Sequence, residues 1–257
     1  MKTFEKAEIT AITELAPGIF DMKVKTAMGQ SAKAGQFAML YPNDKSTLLP
    51  RPISICEADE TGLRFVFRVV GKGTKEFSEY KEGDFIKLCG PLGNGYDTDF
   101  LSGKKVIVLG GGIGIPPMLG LSKTLAQSGA SVTAVMGYRD NNMFLKEDFE
   151  KYCNIYVATE DGSFGTKGNV LDCMEKENLS ADVLCACGPM PMLRAIKHYA
   201  EVKNIEAFIS LEERMACGVG ACLGCVTKTV SKDHHSHVNN ARVCTEGPVF
   251  NAREVDI

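Results

Sequence analysis

The first hundred residues carry short apolar stretches in which hydrophobic and polar positions mostly alternate. Glycine, proline, asparagine and aspartate separate these stretches. A period of two is typical of strands that bury one face, and short strands with turns between them predict an antiparallel sheet. The pattern therefore predicts a small antiparallel β-barrel over residues 1–100, with strands at 7–12, 19–24, 36–41, 63–70 and 84–88.

From Lys104 onward the apolar pattern changes to alternating strands and helices. A strand at 106–109, a glycine-rich loop, a helix at 116–127 and a strand at 131–136 form a first βαβ unit. Because such units build parallel sheets with helices on both faces, residues 101–210 are predicted to form a doubly wound α/β domain. Further strands are expected at 155–158, 183–186 and 207–210, and further helices at 146–152, 170–177 and 189–202.

The composition is that of a globular protein with room for two domains and a short appendage. The chain has 257 residues, 44% of them hydrophobic, and a net charge of −3. It shows no basic stripe, which argues against nucleic acid as the main partner. Neither a signal peptide nor a run of eighteen apolar residues is visible, so secretion and membrane spanning are not indicated. Free cysteines are then expected in the reducing cytoplasm.

Three cysteines lie within nine residues of the C-terminal segment, residues 211–257. They are spaced as Cys217-x4-Cys222-x2-Cys225, and Cys244 follows nineteen residues later. This spacing is typical of plant-type [2Fe–2S] ligands, so the motif predicts such a cluster. The glycines between the first three ligands, expected to allow left-handed turns, are Gly218, Gly220 and Gly224. A four-cysteine zinc site fits the spacing less well but stays open.

A glycine-rich loop at 110–117 directly follows the first predicted strand of the α/β domain and opens a helix. A nucleotide pyrophosphate binds in such a place, at backbone N–H groups and the positive end of the helix. The loop is not a complete G-x-G-x-x-G, because Ile115 stands where the third glycine would be. A tight strand-to-helix turn without a ligand remains the alternative.

Because a whole β domain precedes this loop, a flavin would have to be held by the barrel. Arg51-Pro52-Ile53-Ser54 offers a cation for a phosphate and a hydroxyl for a flavin ring. Val66-Phe67-Arg68 adds a second arginine, and Gly71-Lys72-Gly73-Thr74 is expected to be a flexible turn that cradles phosphate. Taken singly, these arginines are better explained as surface charges and the turn as an ordinary hairpin loop.

Together these motifs resemble the ferredoxin-reductase superfamily. More narrowly, they resemble the electron-transfer subunits of bacterial dihydroorotate dehydrogenase B. The resemblance covers the whole chain. Three further stretches carry it beside the motifs above, namely residues 90–95, Cys187-Gly188-Pro189-Met190-Pro191-Met192 and the ending at 242–250.

The resemblance implies a barrel with FAD, an α/β domain for NAD and a C-terminal [2Fe–2S] segment. It also implies an FMN-containing catalytic partner that oxidises dihydroorotate, in a heterotetramer of two plus two subunits, with electrons passing from FMN through the cluster and FAD to NAD⁺. No side chain of this chain is then an acid–base catalyst. The implied FAD residues are Arg51, Pro52, Ile53, Ser54, Val66, Phe67, Arg68, Gly73 and Thr74; the NAD residues Gly112, Gly114, Cys187, Gly188 and Pro189; and the cluster ligands Cys217, Cys222, Cys225 and Cys244.

Two other interpretations stay open. One is the small subunit of another reductase of the superfamily, of ferredoxin:NADP or sulfide dehydrogenase type. In that group an aspartate replaces one cluster cysteine, whereas all four positions are cysteine here. The other is a zinc-containing nucleotide-binding module without flavin.

Two features outside these motifs invite a functional interpretation. Arg139 is suited to bind the 2′-phosphate of NADP, but it is equally well explained as an ordinary surface charge. NAD is favoured over NADP on the resemblance alone. His234, His235 and His237 are interpreted as a solvated polar hairpin near 233–240 rather than a second metal site.

Overall fold

Six antiparallel strands from the first hundred residues close into a barrel. In the computed structural model, which describes residues 3–232 and 237–257, these strands are neighbours in the order β1-β2-β5-β4-β3-β6. Alternate side chains fill the interior, and Phe65 and Phe67 are fully buried there. The predicted barrel is confirmed. Its elements are β1 (Thr3–Ala16), β2 (Ile19–Lys25), β3 (Phe37–Tyr41), β4 (Arg51–Asp59), β5 (Gly62–Arg68), α1 (Lys72–Glu79) and β6 (Phe85–Leu92).

Two parts of the barrel differ from the sequence prediction. The stretch 51–54, interpreted as a binding motif and not included among the predicted strands, opens strand β4, with Arg51 opposite Leu40 of β3. The turn predicted at 71–74 is wrong, because Gly71 is the N-cap of α1 and Gly73 and Thr74 lie in its first turn. The helix persists because Phe77 is fully buried against the barrel core, and tertiary burial outweighs the poor helix propensity of glycine.

The second half of the chain forms a seven-stranded sheet with helices on both faces. Its order is β10-β9-β8-β7-β11-β12-β15, and all neighbours are parallel except β12 and β15. The predicted doubly wound domain is confirmed. Its elements are α2 (Thr98–Leu101), β7 (Lys105–Gly111), α3 (Ile115–Gln127), β8 (Ser131–Tyr138), α4 (Lys146–Phe149), β9 (Asn154–Thr159), β10 (Thr166–Lys167), α5 (Val170–Lys176), β11 (Val183–Cys187), α6 (Met190–Lys203) and β12 (Glu206–Ser210).

The C-terminal segment forms a small hairpin and then adds a strand to the parallel sheet. Strands β13 (Val226–Lys228) and β14 (Asn240–Arg242) pair antiparallel, and β15 (Val249–Asn251) pairs with β12. The hairpin predicted near 233–240 lies between β13 and β14, but its residues 233–236, with two of the three histidines, are outside the described residues. His237 is described and exposed.

The barrel and the parallel sheet share one hydrophobic cluster. Helix α3 lies so close to β4 that a Cβ atom on Gly120 would stand 2.3 Å from the carbonyl oxygen of Cys56. Val66 of β5 belongs to the same buried cluster as Met118 and Leu121 of α3. The two halves are therefore packed as one core at this contact. Among the helices of residues 3–232 and 237–257, none is both long and apolar enough to cross a membrane.

Candidate functional site

The guanidinium of Arg51 stands over the N-terminal turn of α1. A Cβ atom on Gly73 would lie 2.8 Å from Arg51 Nε, so glycine leaves the space that this side chain occupies. Arg51 Nη1 donates to the carbonyl of Leu49 at 2.6 Å, which orients the guanidinium. Helix N-termini and guanidinium groups both bind phosphate oxygens. This corner of the barrel is chemically suited to a pyrophosphate.

The hydroxyl of Thr74 shapes the same turn from inside. Thr74 Oγ1 accepts hydrogen bonds from the N–H groups of Val70 and Gly71 at 2.9 and 3.2 Å, and Thr74 is buried. Its hydroxyl is therefore occupied by the backbone before α1. The contribution of Thr74 to a phosphate site is to hold the Gly71 turn in place.

The remaining barrel candidates divide into half-buried and core positions. Pro52, Ile53 and Ser54 are half-buried on β4. Val66 and Phe67 are 3% and 1% exposed and belong to the core, so they can offer only backbone groups to a ligand. Burial follows from the alternation along β5, which turns Phe67 inward.

Arg68 connects the barrel candidates to the glycine loop. It ends β5, and its Nη2 atom would lie 3.7 Å from a Cβ atom on Gly112. Gly112 has φ +54, a left-handed conformation that favours glycine. The structure thus brings together one arginine of the barrel and the loop after β7, at the junction of the two halves.

The glycine loop lies where the order of the parallel sheet reverses. The chain runs outward from β7 to β8 and β9 on one side and to β11 and β12 on the other, and such switch points are where α/β sheets bind ligands. A Cβ atom on Gly114 would lie 2.3 Å from the carbonyl oxygen of Cys187, so the loop touches the end of β11. Helix α3 begins here without a side-chain cap, but Pro116 and Pro117 carry no N–H and the N–H of Ile115 donates to the carbonyl of Gly112. The start of α3 therefore offers a phosphate the positive end of its dipole.

Cys187, Gly188 and Pro189 form the end of β11 and the turn into α6. Cys187 lies opposite Gly110 of β7 and Ser210 of β12 in the sheet register. Burial raises the pKa of Cys187 to about 12, so this thiol is neutral at physiological pH. It is a packing or contact residue at the switch point and no nucleophile.

The hairpin β13–β14 brings Cys225 and Cys244 together although they are distant in sequence. Cys225 precedes β13 and Cys244 follows β14, and Val243 donates its N–H to the carbonyl of Cys225 at 2.9 Å. The N–H of Cys244 points at the sulfur of Cys225 at 3.4 Å. Both side chains are buried. Backbone pairing therefore determines the position of the fourth cysteine.

Cys217 and Cys222 lie in a loop whose N–H groups point at sulfur atoms. The N–H groups of Val219 and Cys222 lie 3.4 Å from Cys217 Sγ, and that of Gly224 lies 3.4 Å from Cys222 Sγ. Burial of the Cys217 thiol disfavours its thiolate, but these N–H groups outweigh that effect and lower the pKa of Cys217 to about 6.

The left-handed residues of this loop only partly match the sequence prediction. Gly218 and Gly220 have φ values of +68 and +85, as predicted. For Gly224 the prediction is wrong, because the left-handed residue there is Leu223, with φ +57. Leucine in this conformation is strained, and its side chain is 63% exposed.

Backbone contacts pair the four cysteines two by two. The N–H of Cys222 donates to Cys217 Sγ and that of Cys244 to Cys225 Sγ, both at 3.4 Å, and Cys217 also lies close enough to Cys244 for their charges to interact. Across residues 3–232 and 237–257, no three His, Cys, Asp or Glu side chains converge where a single metal ion could bind. Zinc needs four ligands around one point, whereas a [2Fe–2S] cluster distributes its thiolates over two irons. The donor set, its pairing and the N–H groups aimed at sulfur therefore fit a binuclear cluster better than zinc.

The cysteine loop is packed on the barrel. A Cβ atom on Gly218 would lie 2.6 Å from Met39 Cγ and 3.2 Å from Leu92 Cδ1. Met39 lies opposite Pro52 in the pairing of β3 with β4. The cysteine loop and the Arg51–Ser54 stretch are therefore separated by a single strand, β3.

Asn94 has a role at this site that sequence reasoning did not assign. Its side-chain amide donates to the carbonyls of Thr245 and Glu246 at 3.2 and 3.1 Å, and so fixes the backbone directly after Cys244. Residues 90–95 were visible as a motif, but a contact over 151 positions of sequence leaves no local signal. Arg139, by contrast, is exposed at the end of β8.

Comparison with known proteins identifies related chains over the full length. Residues 212–256 match a family model described as the iron-sulfur cluster binding domain of dihydroorotate dehydrogenase B. The dihydroorotate dehydrogenase B (NAD(+)) electron transfer subunit of Bacillus pumilus (strain SAFR-032) is 40% identical over 259 residues, covering 98% of both chains. The protein of the same name from Listeria innocua is 39% identical over 249 residues, covering 95% of this chain and 96% of that one.

Solved structures share the same architecture. A chain from the NADH-dependent reduced ferredoxin-NADP oxidoreductase, studied for flavin-based electron bifurcation, is similar with a TM-score of 0.87 and 28% identity, over 97% of this chain and 89% of that one. A ferredoxin NADP⁺ reductase from Neisseria gonorrhoeae with bound FAD and NADP shares the fold at a TM-score of 0.64 and 18% identity, over 79% and 91%. The identity of about 40% to the electron transfer subunits extends over nearly the whole of both chains and exceeds the identity to the solved structures. The chain therefore belongs to the family of dihydroorotate dehydrogenase B electron transfer subunits.

Proposed function

We propose that this chain is the electron-transfer subunit of an NAD-linked dihydroorotate dehydrogenase of pyrimidine biosynthesis. Electrons pass from the FMN of a catalytic partner through a [2Fe–2S] cluster and FAD to NAD⁺. The proposal rests mainly on one observation: a single barrel strand, β3, separates the cysteine loop from the Arg51–Ser54 stretch. Neighbouring strands lie about 5 Å apart, so a cluster held by the loop that packs on β3 and a flavin bound along β4 would be close neighbours.

The barrel would hold the FAD. Arg51 and the first turn of α1, with Gly73 and Thr74, bind the pyrophosphate. Pro52, Ile53 and Ser54 lie along the isoalloxazine, and residues 66–68 complete the site, Val66 and Phe67 through backbone groups and Arg68 through its guanidinium. The support for this is the Arg51 guanidinium beside the first turn of α1, whose N-cap Gly71 has no side chain to bond the N–H groups of that turn, a combination that binds phosphate.

The switch point of the parallel sheet would hold NAD. Gly112 and Gly114 approach the pyrophosphate at the start of α3, and Cys187, Gly188 and Pro189 lie beside the nicotinamide. Arg68 supports this placement, because it reaches from the barrel to Gly112. The two cofactor sites therefore meet where the barrel and the sheet join.

The cysteine pairs would hold the cluster, with Cys217 and Cys222 on one iron and Cys225 and Cys244 on the other. When bound, the cluster carries single electrons, while a flavin exchanges them singly or in pairs with the nicotinamide. The protein's own contribution is to position the groups. The N–H groups of Val219, Cys222, Gly224 and Cys244 stabilise thiolate sulfur, and Asn94 fixes the segment on the barrel.

The partner proposed is the FMN-containing catalytic subunit, in a cytoplasmic heterotetramer of two plus two chains. A docking face at the cluster is supported by the exposure of the residues around Cys222 to solvent. Cys222 is exposed, and Val219 and Leu223 beside it are 44% and 63% exposed. We divide the chain functionally into an FAD domain (1–100), an NAD domain (101–210) and a cluster segment (211–257), of which the last is anchored to the sheet by β15.

Purification of the tagged chain from its native cells tests this proposal. We expect co-purification of an FMN-containing chain in equal amount, two irons and two labile sulfides per copy of this chain, and NAD⁺ reduction that depends on dihydroorotate. Zinc instead of iron, the absence of FAD, or a partner without dihydroorotate activity would refute it. Replacement of NAD⁺ by NADP⁺ in the same assay tests the nucleotide preference.

A further inference from the structure

Thr245, the residue directly after Cys244, has a buried hydroxyl without a partner. Across residues 3–232 and 237–257, Thr245 Oγ1 is the buried side-chain oxygen for which no hydrogen-bond partner is present in the protein. Buried hydroxyls are nearly always hydrogen-bonded, because an unpaired one loses its contact with water without compensation. The partner of this hydroxyl is therefore to be sought among groups that bind beside it.

The hydroxyl lies against the cysteine loop. A Cβ atom on Gly220 would stand 2.9 Å from Thr245 Cγ2 and 3.4 Å from Thr245 Oγ1. The N–H of the same glycine donates a hydrogen bond to the thiol of Cys244. Gly220 itself lies between Cys217 and Cys222 in sequence. One glycine thus touches both the Cys244 thiol and the Thr245 side chain.

Hydrogen bonds hold the backbone of Thr245 on both sides. Its N–H donates to the carbonyl of Arg242 at 3.1 Å, and its carbonyl accepts from the side chain of Asn94 at 3.2 Å. These two bonds fix the residue between the hairpin and the barrel. The hydroxyl is the one polar group of Thr245 left for a ligand.

We propose that Thr245 Oγ1 donates a hydrogen bond to a sulfur atom of the [2Fe–2S] cluster or of its cysteine ligands, and thereby raises the reduction potential of the cluster. The inference rests on the proposed function, since it requires the cluster. Reduction adds one negative charge to the cluster, so a donated hydrogen bond stabilises the reduced form more than the oxidised form. Thr245 acts through the cluster and is a tuning residue, not a ligand.

The test is a redox titration of the purified complex, with the reduced cluster followed by its paramagnetic signal. Thr245→Val removes the hydroxyl and keeps the shape of the side chain. We expect its one-electron reduction to be disfavoured by up to about tenfold, which corresponds to about 59 mV toward more negative potential. Thr245→Ser keeps the hydroxyl and is expected to retain the wild-type potential.

A matched control removes a hydroxyl that already has a partner. Thr124 on α3 donates to the carbonyl of Gly120 at 2.9 Å, so Thr124→Val should leave the cluster potential unchanged. An equal potential in wild type and Thr245→Val, with full iron content in both, would overturn the inference alone. Wild-type protein without iron would overturn the proposed function as well.

A second variant covers the case in which valine prevents cluster assembly. Thr245→Ala removes the same hydroxyl without a bulky replacement, and its potential should shift in the same direction. Loss of the cluster from both variants, with retention in Thr245→Ser, would support the hydroxyl–cluster contact. Loss from all three would show that only the size of the threonine side chain matters and would overturn the inference.

Discussion

Arg64 on β5 of the barrel and Asp148 on α4 of the α/β domain form an ion pair across the junction of the two halves, with Nη2 and Oδ2 3.0 Å apart. The same guanidinium contacts Asp21 at 2.8 Å and Glu57 at 2.7 Å. The Arg64 side chain is only 14% exposed. One guanidinium therefore contacts three carboxylates, two of which also pair with Lys123 and Lys151, and it does so where the proposed flavin and nucleotide sites must keep their relative position.

Replacement of this cation should strongly destabilise the fold. In Arg64→Met the apolar part of the side chain remains, but Asp21, Glu57 and Asp148 lose their shared partner and repel one another. Removal of one member of a buried ionic network costs about 3–5 kcal/mol. We expect a decrease of this size in the free energy of unfolding, measured by urea denaturation and circular dichroism.

Lys151 provides the control for this prediction. It contacts Asp148 at 2.6 Å from the outside, and its side chain is 61% exposed, so water largely replaces the contact and Lys151→Ala should lower the urea midpoint much less than Arg64→Met. If Arg64→Met were as stable as the wild type, the network would be an ordinary surface feature.

Asp148 predicts a specific acid dependence. Burial raises the pKa of its carboxyl, but hydrogen bonds from Lys151 and Arg64 outweigh burial and hold the pKa below its usual range. A carboxyl with a depressed pKa stabilises the fold above its unfolded pKa of about 3.9, and this contribution is lost as the pH falls through the folded pKa. Asp148→Asn should therefore be less stable than the wild type at neutral pH, and the difference should vanish in acid. Urea midpoints measured from about pH 7 to about pH 3 check this; a difference that is independent of pH would contradict it.

The sequence predicted elements well where a local pattern carries the information. The period of two in β2 and β5 and the glycine loop before α3 depend on neighbouring residues, and both the barrel and the doubly wound sheet follow from them. The cysteine spacing is equally local. These are the cases in which the burial pattern and the turn residues indicate the same element.

The sequence prediction failed where a contact between residues that are distant in sequence determines the local structure. The sequence predicts a turn at Gly73 and Thr74. The structure has a helix there, because Phe77 of α1 is buried in the barrel, and this burial is not visible in the local sequence. The attachment of Asn94 to Thr245 and the pairing of β15 with β12 join segments that are at least 39 residues apart in sequence. Leu223 takes the left-handed conformation expected of Gly224, since the geometry of the loop around the sulfurs outweighs the conformational preference of a single residue.

Arg51 should control FAD retention. Its guanidinium is the charged partner that we propose for the flavin pyrophosphate, and loss of one charged hydrogen bond costs about 1.5–3 kcal/mol, or roughly ten- to hundredfold in affinity. Arg51→Ala should lose FAD on dilution, measured by flavin fluorescence after ultrafiltration. Arg194, an exposed arginine on α6, supplies the control variant Arg194→Ala, which should keep its FAD. Equal occupancy in all three proteins would remove Arg51 from the flavin site.

Gly218 should be required for cluster binding for two separable reasons. Alanine there meets a left-handed backbone, which costs about 1–2 kcal/mol, and it also collides with the fully buried Met39. Gly18 has nearly the same φ, +73, with nothing within 4 Å of an added Cβ atom. Gly218→Ala should therefore lose iron and sulfide, while Gly18→Ala should only be slightly less stable. Equal iron content in the two variants would show that the contact with Met39 is not needed.

The order of the carriers can be tested at Cys222. This cysteine is exposed, so alanine there removes a proposed cluster ligand without opening a cavity in the core. Electron transfer from NADH to an artificial acceptor needs only the nicotinamide and FAD sites and should continue. Dihydroorotate-dependent reduction of NAD⁺ must cross the cluster, and we expect Cys222→Ala to lose most of it.

The assembly state must be known before this loss is interpreted, because a collapsed loop would also prevent docking of the partner. Size-exclusion chromatography of Cys222→Ala with the catalytic subunit provides that check, and Cys153→Ala, at a half-buried cysteine after α4, provides the control that keeps both activities. An assembled, iron-free complex that still reduces NAD⁺ with dihydroorotate at the wild-type rate would refute the route through the cluster. The cysteine loop and the Arg51–Ser54 stretch are separated by β3 alone, so the cluster would stand next to the flavin on the route from dihydroorotate. We therefore expect an assembled Cys222→Ala complex to lose the dihydroorotate-dependent reduction of NAD⁺ and to keep electron transfer from NADH to the artificial acceptor.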